Sequence, residues 1–422
     1  MSISYYNVTR EYKALRPPMQ TMLYLPDGES EKKHIGIVII HSNSDYLESP
    51  ACAEFAKRGY SVVAANVPNP SKCLELKLLD VKRAINHLKQ NVPEVDKILI
   101  FGHSGGATLM SAYQAVAEKG NQIFQGPEKV YRMPDIEDLP AADGVLLIDS
   151  NWGNGAMTLL SLDPSINDES TGMGYIPELD QLNPANGYKD DGTTDYSEDF
   201  IRKFMKAQKE REDKLVRYAQ ERVRALAGGR GTYQDDEPMI VPGGEQVAPC
   251  NKLFPHDLTL LTHTKGEYTQ IYGDGTRKTE VVYSIRNAAR PDNLTPSYNA
   301  AAFKTSVKSF LASTAVLAND DFYIDETGIY GIDYDSSYAC TPGNVHHIDA
   351  PTLVMGLTAG YEFMAAEEVY RNLKAEDKTL AFVHGVNHPI RIAHYMEKFP
   401  GEFGDPIKYM FDYIAEWIDA RF

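Results

Sequence analysis

Residues 97–114, KILIFGHSGGATLMSAYQ, constrain the fold of this chain more than any other stretch. Residues 97–101 are a short apolar run, the length of a buried strand. Gly102-His103-Ser104-Gly105-Gly106 breaks the run, and residues 107–117 read as a helix that opens with small side chains. A strand that feeds a helix through so tight a turn needs glycine where the two backbones cross. Such a turn holds one serine in a strained conformation and lifts its hydroxyl above the sheet. The helix N-terminus beneath it offers free N–H groups to a developing negative charge.

The neighbouring segments supply the sheet that this turn requires. Residues 20–25 alternate as an early strand and end at Pro26-Asp27-Gly28, a turn signal. IGIVII at 35–40 is an unbroken β-branched run, the mark of a strand buried on both faces. Residues 49–58 form a helix closed by Gly59, and 61–67 another buried strand. Leu74, Leu78, Val81, Ile85 and Leu88 recur at helical spacing, with Lys77, Lys82 and Lys89 expected to face water. A further strand at 144–148 ends in Asp149. Strands alternating with helices at this spacing imply an α/β fold with a mostly parallel, doubly wound sheet.

The pattern then lapses, over a length no simple loop reaches. Residues 162–192 are rich in Asp, Asn, Pro and Gly. Asp195 and Glu198 read as a capping pair for a long helix to about 227, ended by Gly228-Gly229, with a solvated polar middle at 208–214. Residues 258–285 read as strands around Gly273-Asp274-Gly275, and 300–317 as a helix. The strand–helix pattern resumes at 352–357, 367–373 and 379–383, and an amphipathic helix at 407–418 closes the chain. The expected organisation is a core at 1–154 and 346–422, interrupted by a mixed cap at 155–345. Phe303, Phe310, Phe322, Tyr323 and Tyr330 are expected to form the cap's own core.

Composition excludes several classes of function. A net charge of −17 without a basic patch argues against a nucleic-acid or anionic-membrane partner. The four cysteines form neither a disulfide framework nor a C-x-x-C pair. No signal peptide or membrane span is evident, so a cytoplasmic location is expected. His346 and His347 are adjacent, which on a strand turns them to opposite faces, so no metal site and no cofactor is expected. A small-molecule substrate is the expected partner, and a homodimer stays open.

Ser104 needs a base to accept its proton. His388, late in the chain after the last strand, is the first candidate, while His384 at the strand end supports the sheet. The acid that holds the imidazole is Glu362, on the loop after strand 352–357, or Asp149; the usual placement of the acid late in the chain favours Glu362. Glu367 and Glu368 read as solvated helix charges. Gly105 supplies one N–H of an oxyanion hole, and Asn43 or Ser42, after strand 35–40, the second.

With these residues named, the chain resembles the α/β-hydrolase superfamily: GHSGG at the turn, IVIIHSNSDY before the first helix and FVHGVNHP near the end. The resemblance covers about 20–150 and 350–420. The DPS and NPANGY of the insertion, with AEDKTLAFVHGVNHP, are similar to a subgroup of capped bacterial serine hydrolases. The resemblance implies a serine hydrolase that cleaves a carboxylic ester or related acyl bond through an acyl-enzyme. Alternatives are a lactone, thioester or carbon–carbon bond hydrolase with the same triad, or a non-catalytic binding protein of this fold. The cap implies compact or aromatic acyl substrates, without activation at a lipid interface.

Overall fold

A computed structural model of the chain describes residues 3–172, 174–246, 251–289 and 301–422. The strands are β1 (Val8–Leu15), β2 (Met19–Pro26), β3 (Ile35–His41), β4 (Ser61–Asn66), β5 (Lys97–His103), β6 (Gly144–Ile148), β7 (Pro238–Val241) and β8 (His263–Ile271). β9 (Arg277–Tyr283), β10 (Phe303–Ser306), β11 (Leu317–Asp325), β12 (Gly328–Asp333), β13 (Thr352–Leu357) and β14 (Lys378–Val383) follow. Ten of them form one sheet in the order β1-β2-β4-β3-β5-β6-β13-β14-β8-β9. Its six-strand centre, β4 through β14, is parallel throughout.

The apolar strands divide by alternation. Ile37 and Ile39 of β3 face one layer, built on the helix α1 (Pro50–Lys57) and the C-terminal helix Pro406–Asp419. Val38 and Ile40 face the other, built on α2 (Leu74–Asn91), α3 (Gly105–Lys119) and the helix Phe363–Asn372. Every residue of β3 is buried, as an unbroken β-branched run requires of a central parallel strand. No helix among the described residues is long and apolar enough to cross a membrane.

The insertion departs from the expected separate layer. Its β8–β9 hairpin joins the main sheet, with β8 parallel to β14 at Ala381–Thr269, Phe382–Gln270 and Val383–Ile271. Glu367 adds side-chain hydrogen bonds to that pairing. Expected as a solvated charge, it is buried, and its carboxylate accepts from the Lys265 and Gly266 N–H groups at 2.9 and 3.0 Å and from Tyr268 Oη at 2.9 Å. The rest of the described insertion, with β7–β10 and β11–β12 as small two-stranded sheets, packs around α4 (Glu198–Ala227).

Helix α4 is capped by Ser197, whose side chain accepts from Phe200 N–H at 3.2 Å, and not by Asp195. Its polar middle is a clamp. Gln208, Arg211 and Glu212 are buried, and Gln208 donates to the Leu160 and Leu162 carbonyls while Arg211 binds Glu169 and the Asp163 and Pro242 carbonyls. These bonds satisfy main-chain acceptors that an apolar helix face would leave unpaired. β1, unmarked by any strong sequence pattern, pairs along its whole length with β2. The expected helix over 300–317 is instead β10 followed by the helix Val307–Ser313; its first residue, Ala300, lies outside the described residues. Lys77, expected in water, is 3% exposed.

Candidate active site

Ser104 stands between β5 and α3 with φ 55° and ψ −130°, a backbone conformation that non-glycine residues rarely adopt. The surrounding glycines make it reachable. A Cβ on Gly102 would lie 2.6 Å from Cα of Ala107, and one on Gly106 would lie 3.0 Å from the Ile40 carbonyl oxygen. The strand and helix can cross this closely only without side chains there. Gly105 opens the 15-residue helix α3, so its N–H has no carbonyl partner within the helix and points outward at the positive end of the helix dipole.

His388, on the loop after β14, places Nε2 2.8 Å from Oγ of Ser104. Its Nδ1 lies 2.6 Å from Oδ2 of Asp149. The carboxylate hydrogen-bonded to His388 is therefore Asp149, not the Glu362 that a late position in the chain favours; Glu362 Oε2 stands 3.9 Å from the same nitrogen. The cause is local. Asp149 ends β6 at φ 44° and is locked to the neighbouring β13: its N–H donates to the Met355 carbonyl at 2.7 Å and its Oδ1 accepts from Leu357 N–H at 2.8 Å. That leaves Oδ2 aimed at the imidazole. Glu362 sits one turn further on, at the start of the helix Phe363–Asn372.

A central parallel sheet in this strand order, with a serine at the sharp turn after β5 and a histidine after β14, has one architecture. The core is an α/β-hydrolase fold. No family model and no curated protein matches the chain. Among solved structures, a hypothetical protein from Pseudomonas aeruginosa is similar at 12% identity and a TM-score of 0.44, over 100% of this chain and 96% of that one. The α/β hydrolase GrgF from Penicillium is similar at 11% identity and a TM-score of 0.41, over 98% and 99%. Esterase B from Lactobacillus rhamnosis is similar at 16% identity and a TM-score of 0.29, over 36% of this chain and 51% of that one.

Two histidines beside Ser104, Asp149 and His388 were not singled out by sequence. Buried His103 has Nε2 2.7 Å from the His388 carbonyl oxygen, and its Nδ1 meets the Tyr46 hydroxyl. Burial, and next the charge of His388, hold His103 well below the ordinary imidazole range, so the ring is neutral. Burial also raises the Tyr46 phenol, so Tyr46 donates to Nδ1 and His103 Nε2–H donates to the His388 carbonyl. The pair anchors the loop that carries His388. His41 is neutral for the same reason, pushed down to about 3 by burial and then by His388. Its Nδ1 accepts from the N–H groups of Asn43 at 3.2 Å and Ser44 at 3.0 Å, which leaves its proton on Nε2.

That last contact bears on the second oxyanion donor. The Asn43 N–H is engaged by His41, and Asn43 is exposed. Ser42 is 1% exposed and lies against the N-terminal turn of α3: a Cβ on Gly105 would be 2.9 Å from Ser42 Oγ and 2.8 Å from Asn154 Oδ1. Of the two sequence candidates, Ser42 is the one packed beside Gly105.

The charges at His388 oppose its burial. Burial lowers the imidazole's pKa, but Glu362 and the hydrogen bond and charge of Asp149 outweigh it and hold His388 above the ordinary imidazole range. Burial raises Asp149, against the hydrogen bond from His388. His103, Asp149 and His388 bring ring nitrogens and a carboxylate oxygen within 4.8 Å of one another, a spacing that a metal ion could bridge. Those atoms already face hydrogen-bond partners in Ser104, Tyr46 and each other.

Proposed function

We propose that this protein is a serine hydrolase that cleaves a carboxylic ester, or a related acyl bond, of a small molecule through an acyl-enzyme. The observation that carries the reading is the continuous hydrogen-bonded line Ser104 Oγ, His388 Nε2, His388 Nδ1, Asp149 Oδ2, at 2.8 and 2.6 Å. Ser104 attacks the acyl carbon while its proton passes to Nε2 of His388. Asp149 keeps the imidazole in the tautomer that presents a lone pair to Ser104 and stabilises the imidazolium that forms. The tetrahedral oxyanion gathers at Gly105 N–H, with the Ser42 hydroxyl, which packs beside Gly105, as the second donor. His388 then protonates the leaving group, and a water activated by the same nitrogen releases the acid.

The strained positions support this reading. Of the four non-glycine residues with positive φ among those described, Ser104, Asp149 and Ile390 belong to or flank the triad. Strain concentrated at one place is typical of a site held for chemistry. The insertion from 155 to 345 acts in this reading as a cap that limits solvent and substrate size. A panel of chromogenic esters of graded acyl length tests the function. Hydrolysis lost by several orders of magnitude in Ser104→Ala, with thermal stability unchanged, supports it. Wild-type turnover in that variant overturns it.

A further inference from the structure

Lys77 is a cation without an acidic partner beside the candidate active site. It lies on α2, is 3% exposed, and its Nζ donates to the Pro70 carbonyl at 2.7 Å. No carboxylate oxygen among the described residues comes within ion-pair distance of it, and its acidic neighbours are engaged elsewhere: Glu75 by Tyr338, Asp80 by Arg83. A buried ammonium that lacks a counter-ion is costly, and one kept in place needs a compensating role. Burial lowers it to about 8, so it still carries most of its charge at neutral pH.

Lys77 lines a cavity of about 220 Å³ between the core and the insertion, together with Ser42, Asn154, Gln246 and Phe303. Ser42 and Asn154 are the side chains packed against Gly105, so the cavity opens beside the residue that follows the nucleophile. Glu245 and Lys304 also line it, so among the described residues the charged lining carries one positive charge in excess. A second cavity, about 410 Å³, is lined by Tyr46, His103, Pro389 and Ile390, against the loop that carries His388. The leaving group must meet His388 to be protonated, which assigns it to that second side. The Lys77 cavity then receives the acyl group.

We propose that the Lys77 cavity holds the acyl part of the substrate and that Lys77 pairs with a carboxylate at its far end, making half-esters of dicarboxylic acids the preferred substrate class. This rests on the serine-hydrolase reading and deepens it. The small volume suits a compact acyl group, and one remaining pair of Nζ hydrogens suits a carboxylate.

The test compares 4-nitrophenyl hydrogen adipate with 4-nitrophenyl hexanoate, an acyl chain of equal carbon count without the terminal charge. Wild-type protein is expected to favour the adipate in kcat/KM by about 10- to 100-fold. Lys77→Met should remove that preference, chiefly by raising KM, while hexanoate turnover holds, and Lys77→Arg should keep part of it. Equal or better wild-type turnover of hexanoate overturns the proposal even if the methionine variant fails to fold. An equal loss on both esters in a folded Lys77→Met also overturns it and makes Lys77 structural. If neither ester is cleaved and Ser104 resists a fluorophosphonate, the serine-hydrolase reading itself fails, and this proposal with it.

Discussion

Glu362 holds a carboxylate oxygen 3.9 Å from Nδ1 of His388, the nitrogen that Asp149 binds at 2.6 Å. Two negative groups thus face one imidazole, and both favour its protonated form. In the proposed mechanism His388 acts as a base only when neutral, so activity should rise with pH through a midpoint above the ordinary imidazole value. Glu362→Gln removes one of the two charges and should move that midpoint to lower pH, with plateau turnover close to wild type. A pH–kcat/KM profile checks this. An unmoved limb would mean that Glu362 does not act on His388.

Asp149→Asn should lower kcat by about 10⁴-fold, because an amide at that position presents the wrong group to Nδ1 and favours the wrong tautomer. Steady-state hydrolysis of one chromogenic ester by both carboxylate variants separates the assignments. Glu362→Gln as the more damaging change would reverse them.

Ser42→Ala should cost about 10²-fold in kcat with KM little changed, the signature of an interaction made in the transition state. Asn43→Ala should leave kcat near wild type, since that side chain is exposed. The opposite ranking would make the Asn43 side chain, and not the Ser42 hydroxyl, the second donor.

Gly102→Ala should destabilise the fold by about 1–3 kcal/mol, because its new methyl would meet the backbone of Ala107 at 2.6 Å. Thermal unfolding measures the loss, and activity should fall with it as the turn that raises Ser104 shifts. An unchanged melting midpoint would show that the crossing has slack.

Much of this was legible in the chain because local patterning and tertiary structure agree in the core. The β-branched run of β3, the helical spacing of α2 and the glycine-rich turn at Ser104 each carry their own physics. Several of the misses share one cause: they are polar residues whose surroundings come from segments remote in sequence. Glu367 reads as a surface charge until β8, 102 residues earlier at Lys265, arrives beside it. Gln208 and Arg211 look solvated until the carbonyls of residues 160–163 and 242 are brought to them. Lys77 fits the polar face of α2 until the insertion covers that face. The choice of Asp149 over Glu362 turns on the hydrogen bonds that lock β6 to β13, which spacing along the chain does not record. His103 carried a signal that could have been used, since it immediately precedes the serine and so shares its sheet edge.

The most direct test of the account is covalent. Wild-type protein treated with a fluorophosphonate should gain the mass of one phosphonyl group, and peptide mapping should place it on the hydroxyl of Ser104. His388→Ala should slow the labelling strongly, and Ser104→Ala should abolish it. Failure of the wild-type protein to react, or an adduct on another residue that survives in Ser104→Ala, would contradict the serine-hydrolase account.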